Sequence, residues 1–358
     1  MKKVEQSESK SRFASLLLKW NKEKNDRQMP WKGEKDPYKI WLSEIILQQT
    51  RVEQGLSYYN AFIKTFPDVH KLAKAPDAKV FKLWEGLGYY TRCRNLLITA
   101  RFISKEKKGV FPDSYETIKE LKGIGPYTAA AISSFAFNLP HAVVDGNVFR
   151  VLARVFGIAT PTDTTEGKKM FTALAEELLD RKQPGLYNQA IMDFGATVCK
   201  PAAPLCSDCI FKKHCVAFNN DLIATLPVKE KKITVKQRWF YYLMMEYKNE
   251  VAIVQRTGKD IWKDLFEFPL IEVTKEMNEK NIIKQLNMKE WFATADYTIE
   301  NISPLFKQQL SHQSISGKFI TIKLKRKIKL KSDWRLVTKE RLKNFAFPQF
   351  INQYLKTK

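Results

Sequence analysis

Apolar side chains recur at the spacing of an α-helix over most of residues 10–218. The repeat of three to four residues is clear in 45–59 and again in 148–156, where it would place the apolar side chains on one helix face. Short stretches that contain glycine separate the periodic segments, as at 86–88 and 123–126. The pattern therefore predicts a first domain that is helical throughout.

The pattern changes near residue 219, where the chain becomes polar and basic. This stretch contains Pro227 and the run KEKK, and it predicts a linker. β-type runs follow at 239–247 and 251–256, and residues 318–330 alternate apolar and basic side chains like a strand with one face in water. We predict a mainly α N-terminal domain and a smaller α+β C-terminal domain. The predicted boundaries are a helical domain over 1–220, a linker over 221–237 and an α+β domain over 238–358.

The charge balance indicates the kind of partner. The 358-residue chain holds 61 Lys and Arg against 38 Asp and Glu, a formal net charge of +23. A field of this size attracts polyanions, so nucleic acid or an anionic membrane surface is the expected partner. The chain has no run of about 18 apolar residues and no apolar stretch at its N-terminus, which argues against a membrane span and against secretion. We therefore expect a cytoplasmic protein, associated with the nucleoid if it is bacterial.

Four of the five cysteines lie between residues 199 and 215. Their spacing is C-x6-C-x2-C-x5-C, which lets four thiolates reach one metal ion or cluster. Soft sulfur ligands favour zinc or an iron–sulfur cluster, and the spacing alone leaves both open. His214 could replace one cysteine as a ligand, and Cys93 is expected to be a small buried side chain. The candidate metal ligands are Cys199, Cys206, Cys209 and Cys215.

Residues 121–132, LKGIGPYTAAAI, predict two helices joined by a tight turn. Gly123 suits the left-handed end of the first helix, and Pro126 suits the first position of the second. The turn from Gly123 to Gly125 would leave backbone N–H groups free at a helix N-terminus, where a DNA phosphate can bind. The alternative is an ordinary turn between two helices.

Two carboxylates could act on a substrate. Glu44 lies within an apolar helical run, and burial would raise its pKa enough to keep a proton near neutral pH. Asp145 precedes a helix and could either cap it or direct its charge towards a developing cation. An acid beside an anionic carboxylate suits glycosidic bond cleavage, because the transition state resembles an oxocarbenium ion. The alternatives are a surface glutamate paired with a nearby cation and an ordinary helix cap.

Five stretches, in this order, resemble the helix-hairpin-helix base-excision glycosylases, and among them the adenine DNA glycosylase family. They are MPWKGEKDPYKIWLSEIILQQTRVE (29–53), WEGLGYYTRCRNL (84–96), LKGIGPYTAAAI (121–132), VVDGNVFRVLAR (143–154) and the cysteine cluster. The resemblance implies a helix-hairpin-helix glycosylase domain with its hairpin at 121–132 and a 4Fe–4S cluster in the loop 199–215. It also implies removal of adenine mispaired with 8-oxoguanine, and more weakly with guanine, from duplex DNA.

The same resemblance implies roles for single residues at the reaction centre. Glu44 matches the acid that protonates adenine at N7, and Asp145 matches the carboxylate that stabilises the sugar cation. Tyr127 and Asn147 match residues of the catalytic pocket. A phenol cannot form the Schiff base that a lysine forms after the hairpin in the related lyases. We therefore expect a monofunctional glycosylase that leaves an abasic site.

Further positions match residues that contact the base or the DNA. Trp31 and Leu47 match positions around the extruded adenine. Gln49 and Tyr89 match residues that enter the base stack beside the lesion, where they offset part of the cost of flipping. Two positions depart from the family: Lys32 stands where an arginine is usual, and Gln189 stands where a carboxylate is often found. The full set of expected contacts in this domain is Trp31, Lys32, Leu47, Gln48, Gln49, Thr50, Tyr89, Gly123, Gly125 and Gln189.

The C-terminal domain resembles the Nudix-like lesion-recognition domain of the same family through residues 251–270. The family's LWEFP-like signature is present as LFEFP at 265–269, but the sequence lacks the carboxylate run of Nudix hydrolases, so diphosphate hydrolysis is not expected. The resemblance implies contacts with 8-oxoguanine from Ser311 and His312. Leu310 replaces the phenylalanine of the family's F-S-H loop.

We expect this protein to act as a monomer on duplex DNA, without a membrane. Two alternatives remain open at this point. The first is a bifunctional lyase of the same superfamily, of the kind that acts on thymine glycol. The second is a DNA-binding module without enzymatic activity, held together by a metal.

Overall fold

The computed structural model describes residues 2–231, 234–288, 296–327 and 331–358. It divides into two compact units. The first, called the helical unit below, contains Met1–Lys74 and Arg94–Lys232. The second, called the sheet unit, contains Ala75–Cys93 and Ile233–Lys358.

Up to residue 231, the regular structure of the described residues is α-helix with one short 3₁₀ turn, which confirms the predicted helical domain. Buried apolar side chains such as Phe13, Leu152 and Phe194 form the core of the helical unit. None of the helices described has both the length and the apolar character needed to span a bilayer. The helices are α1 Lys2–Lys24, α2 Pro37–Leu47, α3 Val52–Thr65, α4 Val69–Lys74, α5 Asp77–Trp84, α6 Thr91–Glu106, α7 Tyr115–Lys119, α8 Pro126–Phe137, α9 Gly146–Phe156, α10 Thr165–Leu178, α11 Pro184–Thr197 and α12 Val216–Asn219.

The predicted hairpin is formed by α7, α8 and the turn between them. Helix α8 begins with Pro126 at its first position and has Gly125 as its N-cap. Gly123 has a φ of +84°, and a Cβ there would lie 2.6 Å from the Cβ of Asn95. Both the left-handed backbone and the lack of space for a side chain therefore require glycine at this position. Helix α7 already ends at Lys119, so Gly123 shapes the turn rather than the helix end.

The segment predicted as a linker, 221–237, is packed against the helical unit along its first part. Leu226 is buried, and the backbone N–H of Thr162 donates to the carbonyl of Val228 at 3.0 Å. The Asp163 carboxylate accepts two further backbone N–H groups from the same segment. The helical unit therefore extends at least to Lys231, inside the stretch predicted as a linker; residues 232–233 lie outside the described part.

The sheet unit contains a mixed sheet, as the α+β prediction requires. The main path is β3-β2-β1-β7-β5, in which the β1 and β7 strands are parallel and the other pairs antiparallel. Strand β7 covers the start of the predicted run 318–330, of which residues 328–330 are not among the described ones. The elements are β1 Lys236–Tyr247, β2 Glu250–Gln255, β3 Phe266–Glu267, β4 Leu270–Val273, α13 Glu279–Asn287, β5 Tyr297–Ile302, β6 Phe306–Gln309, β7 Gln313–Leu324, β8 Trp334–Thr338 and α14 Gln349–Leu355.

Residues 75–93 belong to the sheet unit, although the sequence places them in the helical domain. Helix α5 is joined to the C-terminal part of the chain by side-chain hydrogen bonds from Lys82 and Glu85 to backbone groups of residues 345–347. These partners are about 260 residues apart in sequence. Local patterning does not reveal such a contact, which is why the predicted boundary differs.

Candidate functional site

A cavity of about 240 Å³ opens in the helical unit, between α2, α8 and α11. It includes four of the residues predicted to meet a base: Trp31, Lys32, Glu44 and Gln189. Sequence alone does not bring these positions together, because they lie on segments up to 158 residues apart. The lining residues are Trp31, Lys32, Gly33, Glu34, Lys35, Ile40, Ser43, Glu44, Phe135, Gly185, Leu186 and Gln189.

Glu44 is a buried acid on helix α2. Asp36 caps this helix, and every side chain from Ile40 to Ile46 is buried. The turns of α2 around Glu44 therefore have no solvent-exposed face. Glu44 itself is 6% exposed. Burial raises the pKa of Glu44 to about 7, a hydrogen bond from Tyr127 acts in the opposite direction, and the charge of Asp145 raises the pKa further. The alternative of a surface glutamate paired with a cation is therefore wrong.

Asp145 is the N-cap of helix α9, as the sequence predicts. Its Oδ1 accepts from the backbone N–H of Val148 at 2.8 Å, and its Oδ2 accepts from the Asn147 side-chain amide at 2.7 Å. Burial raises the pKa of Asp145, but these hydrogen bonds favour the ionised form and oppose the shift. Glu44 has fewer donors. The two carboxyl groups therefore differ in environment, which favours an anion at Asp145 beside a neutral acid at Glu44.

Asn147 is held from its other side by Arg150. The guanidinium of Arg150 donates to the Asn147 side-chain oxygen at 2.8 Å and to the carbonyl of Gly195 at 2.8 Å. Its Nε donates to the carbonyl of Cys199 at 2.7 Å. The amide that steadies Asp145 is thus itself fixed, because both its oxygen and its nitrogen are engaged.

The chain that leads into Asp145 is anchored by Asn188 of α11, which is fully buried. The Asn188 side chain accepts from the backbone N–H of Val143 at 3.1 Å and donates to the carbonyl of His141 at 2.8 Å. It also donates to the Ser134 hydroxyl at 3.0 Å. These bonds satisfy the backbone of an irregular segment inside the core, so the position of Asp145 is set from both ends.

Tyr127 lies in the first turn of α8, directly after the hairpin. Its hydroxyl donates to Glu44 and lies 3.8 Å from the Met192 sulfur. Burial raises the pKa of Tyr127 well above its ordinary value, and the nearby carboxyl groups add to the shift. The phenol therefore keeps its proton and acts as a neutral donor towards Glu44.

Asp193 is a buried acid that bonds to two residues of the cavity wall, Lys32 and Gln189, and that the sequence patterns do not predict. Its side chain is fully buried and pairs with Arg27 at 2.9 Å and with Lys32 at 3.3 Å. It also accepts from the Gln189 amide nitrogen at 2.9 Å and from Asn25 at 2.9 Å. An acid four residues after Gln189 on a buried helix is the signal that could have revealed it. Because Asp193 accepts one N–H of the Gln189 amide, the orientation of that amide is fixed, and its oxygen can accept a hydrogen bond from a ligand.

The four clustered cysteines share one neighbourhood in the helical unit. They influence one another electrostatically, and burial raises the pKa of Cys206, of Cys215 and, to about 12, of Cys209. Arg154 donates towards the Cys199 sulfur at 3.6 Å and to the carbonyls of the two residues after it. Within the described ranges, no three His, Cys, Asp or Glu side chains converge as they would on a single metal ion. Four thiols in one loop beside a cation remain a donor set that suits an iron–sulfur cluster.

The QQT stretch after α2 forms a tight turn. The side-chain amide of Gln48 donates to the Thr128 hydroxyl at 3.2 Å, and the backbone N–H of Thr50 donates to the carbonyl of Leu47 at 3.1 Å. Gln49 has a φ of +55° and is exposed. A left-handed backbone at a residue other than glycine costs conformational energy, which is often found at functional positions.

Tyr89 also has a left-handed backbone, with a φ of +48°, and its side chain is 43% exposed. Its hydroxyl is hydrogen-bonded to the hydroxyl of Ser311 within the sheet unit. Ser311 and His312 form an exposed tight turn, closed by a bond from the backbone N–H of Leu310 to the carbonyl of Gln313 at 2.7 Å. The structure thus places Tyr89, predicted to enter the base stack, beside Ser311, predicted to contact 8-oxoguanine.

Comparisons with known proteins agree with this architecture. Residues 42–180 match the family model described as HhH-GPD superfamily base excision DNA repair protein, and residues 240–357 match the NUDIX domain. A solved structure of a thermostable thymine-DNA glycosylase is similar with a TM-score of 0.56 and 29% identity, covering 60% of this chain and 98% of that one.

Curated proteins extend the similarity over both units. The adenine DNA glycosylase of Buchnera aphidicola subsp. Baizongia pistaciae is 36% identical over 306 residues, which cover 85% of this chain and 84% of that protein. The adenine DNA glycosylase of Mus musculus is 43% identical over 216 residues, covering 58% and 42%. Because the first match spans most of both chains, the protein is a DNA glycosylase that belongs to the adenine DNA glycosylase family.

Proposed function

We propose that this protein removes adenine from duplex DNA in which the adenine is mispaired with 8-oxoguanine, and more weakly with guanine. The adenine is flipped out of the helix and enters the cavity beside Glu44. The observation that supports this most directly is a buried acid with a pKa of about 7 at a cavity wall, close enough to Asp145 to respond to its charge. An acid and an anion in one site are the two groups that glycosidic cleavage needs.

In this proposal Glu44 donates its proton to N7 of the adenine, so that the base leaves as a neutral molecule. As the bond to the sugar breaks, positive charge develops on the sugar ring, and the Asp145 anion stabilises it. Asn147 and the N-terminus of α9 hold that carboxylate in place. Tyr127 keeps Glu44 oriented by its hydrogen bond. The catalytic group thus consists of Glu44, Asp145, Tyr127 and Asn147.

Recognition of the base follows from the lining of the cavity. Trp31 offers an aromatic surface and is steadied by an edge contact with Tyr59, whose ring centroid lies 5.2 Å away. The amide oxygen of Gln189 can accept a hydrogen bond from the exocyclic amine of adenine, because Asp193 engages the amide nitrogen. Lys32 is tied to the same carboxylate and lines the cavity as a point charge rather than as a planar fork.

The hairpin and the basic surface hold the DNA in this proposal. Backbone N–H groups at Gly123 and Gly125 bind a phosphate at the start of α8, and the net charge of +23 supplies further attraction. Gln49 and Tyr89 enter the base stack, and Gln48 and Thr50 shape the turn that presents Gln49. Binding should weaken steeply as salt increases, since phosphate contacts release counterions.

Lesion recognition is assigned to the turn at Ser311 and His312. Both residues are exposed, and Ser311 is already bonded to Tyr89. A hydroxyl and an imidazole can read polar edges of 8-oxoguanine, whereas Leu310 offers only apolar contact in place of the family's phenylalanine. The expected substrate preference is therefore 8-oxoguanine over guanine opposite the adenine.

The four cysteines Cys199, Cys206, Cys209 and Cys215 would hold one 4Fe–4S cluster. When bound, such a cluster supplies a rigid cross-link for the loop and a redox-active centre. Arg154 connects this loop to the segment at Ile223 and Leu226 through their backbone carbonyls. Iron and acid-labile sulfide in the purified protein, in equal amounts and about four per chain, would support the assignment.

The decisive experiment compares A:8-oxoguanine, A:G and A:T duplexes with purified protein, followed by alkali to break the strand at abasic sites. We expect breaks at adenine in the first duplex, fewer in the second and none in the third. Efficient strand cleavage without alkali, together with borohydride trapping of a covalent protein–DNA adduct, would instead identify a lyase. We expect neither strand cleavage without alkali nor a trapped adduct, because Tyr127 cannot form a Schiff base.

A third outcome would contradict enzymatic function altogether. A DNA-binding module would bind each duplex but release no base, and Glu44→Gln would leave every readout unchanged. We expect Glu44→Gln to bind the A:8-oxoguanine duplex with the affinity of the unaltered protein and to release no adenine on the time scale of the unaltered protein.

A further inference from the structure

The segment that presents Tyr89 is bonded to the C-terminal part of the sheet unit by two charged side chains. Lys82, near the end of α5, donates to the carbonyl of Phe345 at 3.0 Å. Glu85 accepts from the backbone N–H of Phe347 at 2.7 Å through one carboxylate oxygen and from Lys82 at 2.6 Å through the other. Both oxygens of Glu85 are therefore in use, one on the backbone and one on its own partner.

The backbone that receives these bonds lies at the edge of the sheet, beside β3, and is not itself a strand. Phe345 has an extended conformation, with φ −102° and ψ 144°. The carbonyl of Ala346 accepts from the backbone N–H of Phe266 at 2.8 Å on one side. In an extended chain, the flanking carbonyl and N–H groups point to the opposite side. Lys82 and Glu85 bond to these two groups, and so they satisfy the backbone on the side of this edge that faces away from β3.

This edge is itself fixed to the sheet unit. The ring of Phe345 packs against Phe266 with centroids 4.8 Å apart, and the ring of Phe347 stacks on Phe268 at 5.8 Å. Phe347 is 1% exposed. The partners of Lys82 and Glu85 thus cannot move without disturbing the aromatic packing of the unit, which makes them a firm anchor.

The chain between the anchor and Tyr89 is internally braced. The indole N–H of Trp84 donates to the carbonyl of Gly88 at 3.0 Å, and the backbone N–H of Gly86 donates to the Tyr90 hydroxyl at 3.1 Å. Tyr89 then reaches Ser311 through its hydroxyl. A displacement at Glu85 would therefore be transmitted to Tyr89 rather than absorbed by the three residues between them.

We infer that Lys82 and Glu85 form a polar latch by which the sheet unit holds Tyr89 beside Ser311, so that lesion recognition and insertion of the wedge act together. This inference rests on the proposed function for its consequence in catalysis. The latch residues are positioning residues, because they act on Tyr89 through the segment 84–90. Their loss should reduce the preference for 8-oxoguanine over guanine, while the carboxylates at the reaction centre stay unchanged.

The test uses Glu85→Ala and Lys82→Met in the full-length protein. Glu85→Gln serves as the conservative variant, because its amide oxygen still accepts from Phe347, and Lys343→Met removes an exposed positive charge beside the latch as a control. The first readout is hydrogen exchange of the free protein over residues 84–90. A hydrogen bond to a charged group corresponds to about a tenfold factor in an equilibrium, so exchange should be about tenfold faster in the first two variants only.

The second readout is the single-turnover rate of adenine release opposite 8-oxoguanine and opposite guanine. We expect the ratio of the two rates to fall about tenfold for Glu85→Ala and Lys82→Met and to stay unchanged for Lys343→Met. Glu85→Gln should restore most of the ratio. Unchanged exchange in both latch variants, or faster exchange with an unchanged ratio, would overturn the inference.

Failure of the proposed function is distinguishable in the same experiment. If the unaltered protein releases no adenine from either duplex, the proposed function is wrong, and the exchange data still decide whether the latch holds the segment. Melting temperatures of all variants are measured alongside. Lys82 and Glu85 can be altered separately, so if one of the two latch variants unfolds, the other one decides the outcome.

Discussion

Replacing Glu44 by glutamine should make the helical unit more stable at alkaline pH and should slow the release of adenine at least about 10²-fold. Burial raises the pKa of Glu44 from 4.5 to about 7, so the native state binds this proton more tightly than the unfolded chain does. A group with a raised native pKa contributes stability at low pH and loses it as pH rises through the native value. The free energy of unfolding that is lost amounts to about 3 kcal/mol, because each unit of difference between the native and unfolded pKa corresponds to about 1.4 kcal/mol.

Glutamine has a similar shape and does not ionise. The free energy of unfolding of Glu44→Gln, relative to that of the unaltered protein, should therefore be about 2 kcal/mol higher at pH 8 than at pH 5. Most of the difference in proton binding between native and unfolded Glu44 falls between these two pH values. For a domain of this size, about 1 kcal/mol shifts the melting temperature by roughly 2–4 °C. Thermal melts at the two pH values measure the difference, and Glu106→Gln, at an exposed glutamate, is the matched control.

The same variant should release adenine at least about 10²-fold more slowly in single-turnover assays, because general acid catalysis contributes factors of about 10²–10⁴. Its affinity for the duplex should be unchanged. The role of Glu44 as a neutral buried acid is contradicted if Glu44→Gln releases adenine at the ordinary rate, or if its gain in melting temperature is the same at pH 5 and pH 8. The second result would mean that the carboxyl group is not buried as a neutral acid.

Three further predictions test the neighbouring groups. Tyr127→Phe removes the hydrogen bond that lowers the pKa of Glu44, so the alkaline limb of the single-turnover pH–rate profile should move to higher pH. Asp145→Asn keeps an oxygen to cap α9 but loses the anion, so adenine release should fall about 10²–10³-fold in the same assay while the helical circular dichroism signal is retained. Cys209→Ser removes one of the four thiols, so bound iron and the melting temperature should both decrease, as metal analysis and thermal melts would show.

The sequence alone determined features that depend on neighbouring residues. Apolar periodicity predicted the helices of the first domain, because one helix face must be buried against a core. The capping role of Asp145 and the positions of Gly123 and Pro126 in the hairpin follow from the backbone geometry that each residue type permits. The spacing of the cysteines indicated a shared ligand loop for the same local reason.

Tertiary structure decided what depends on distant partners. The protonation of Glu44 could not be derived from its own helix, because it is set by burial and by Tyr127 and Asp145, which other elements supply. Asp193 gained its role only when α11 was packed beside Arg27 and Lys32. The attachment of residues 75–93 to the sheet unit depends on hydrogen bonds to a backbone edge far along the chain. Periodicity and spacing describe how a segment folds, whereas desolvation and long-range hydrogen bonds depend on which segments meet.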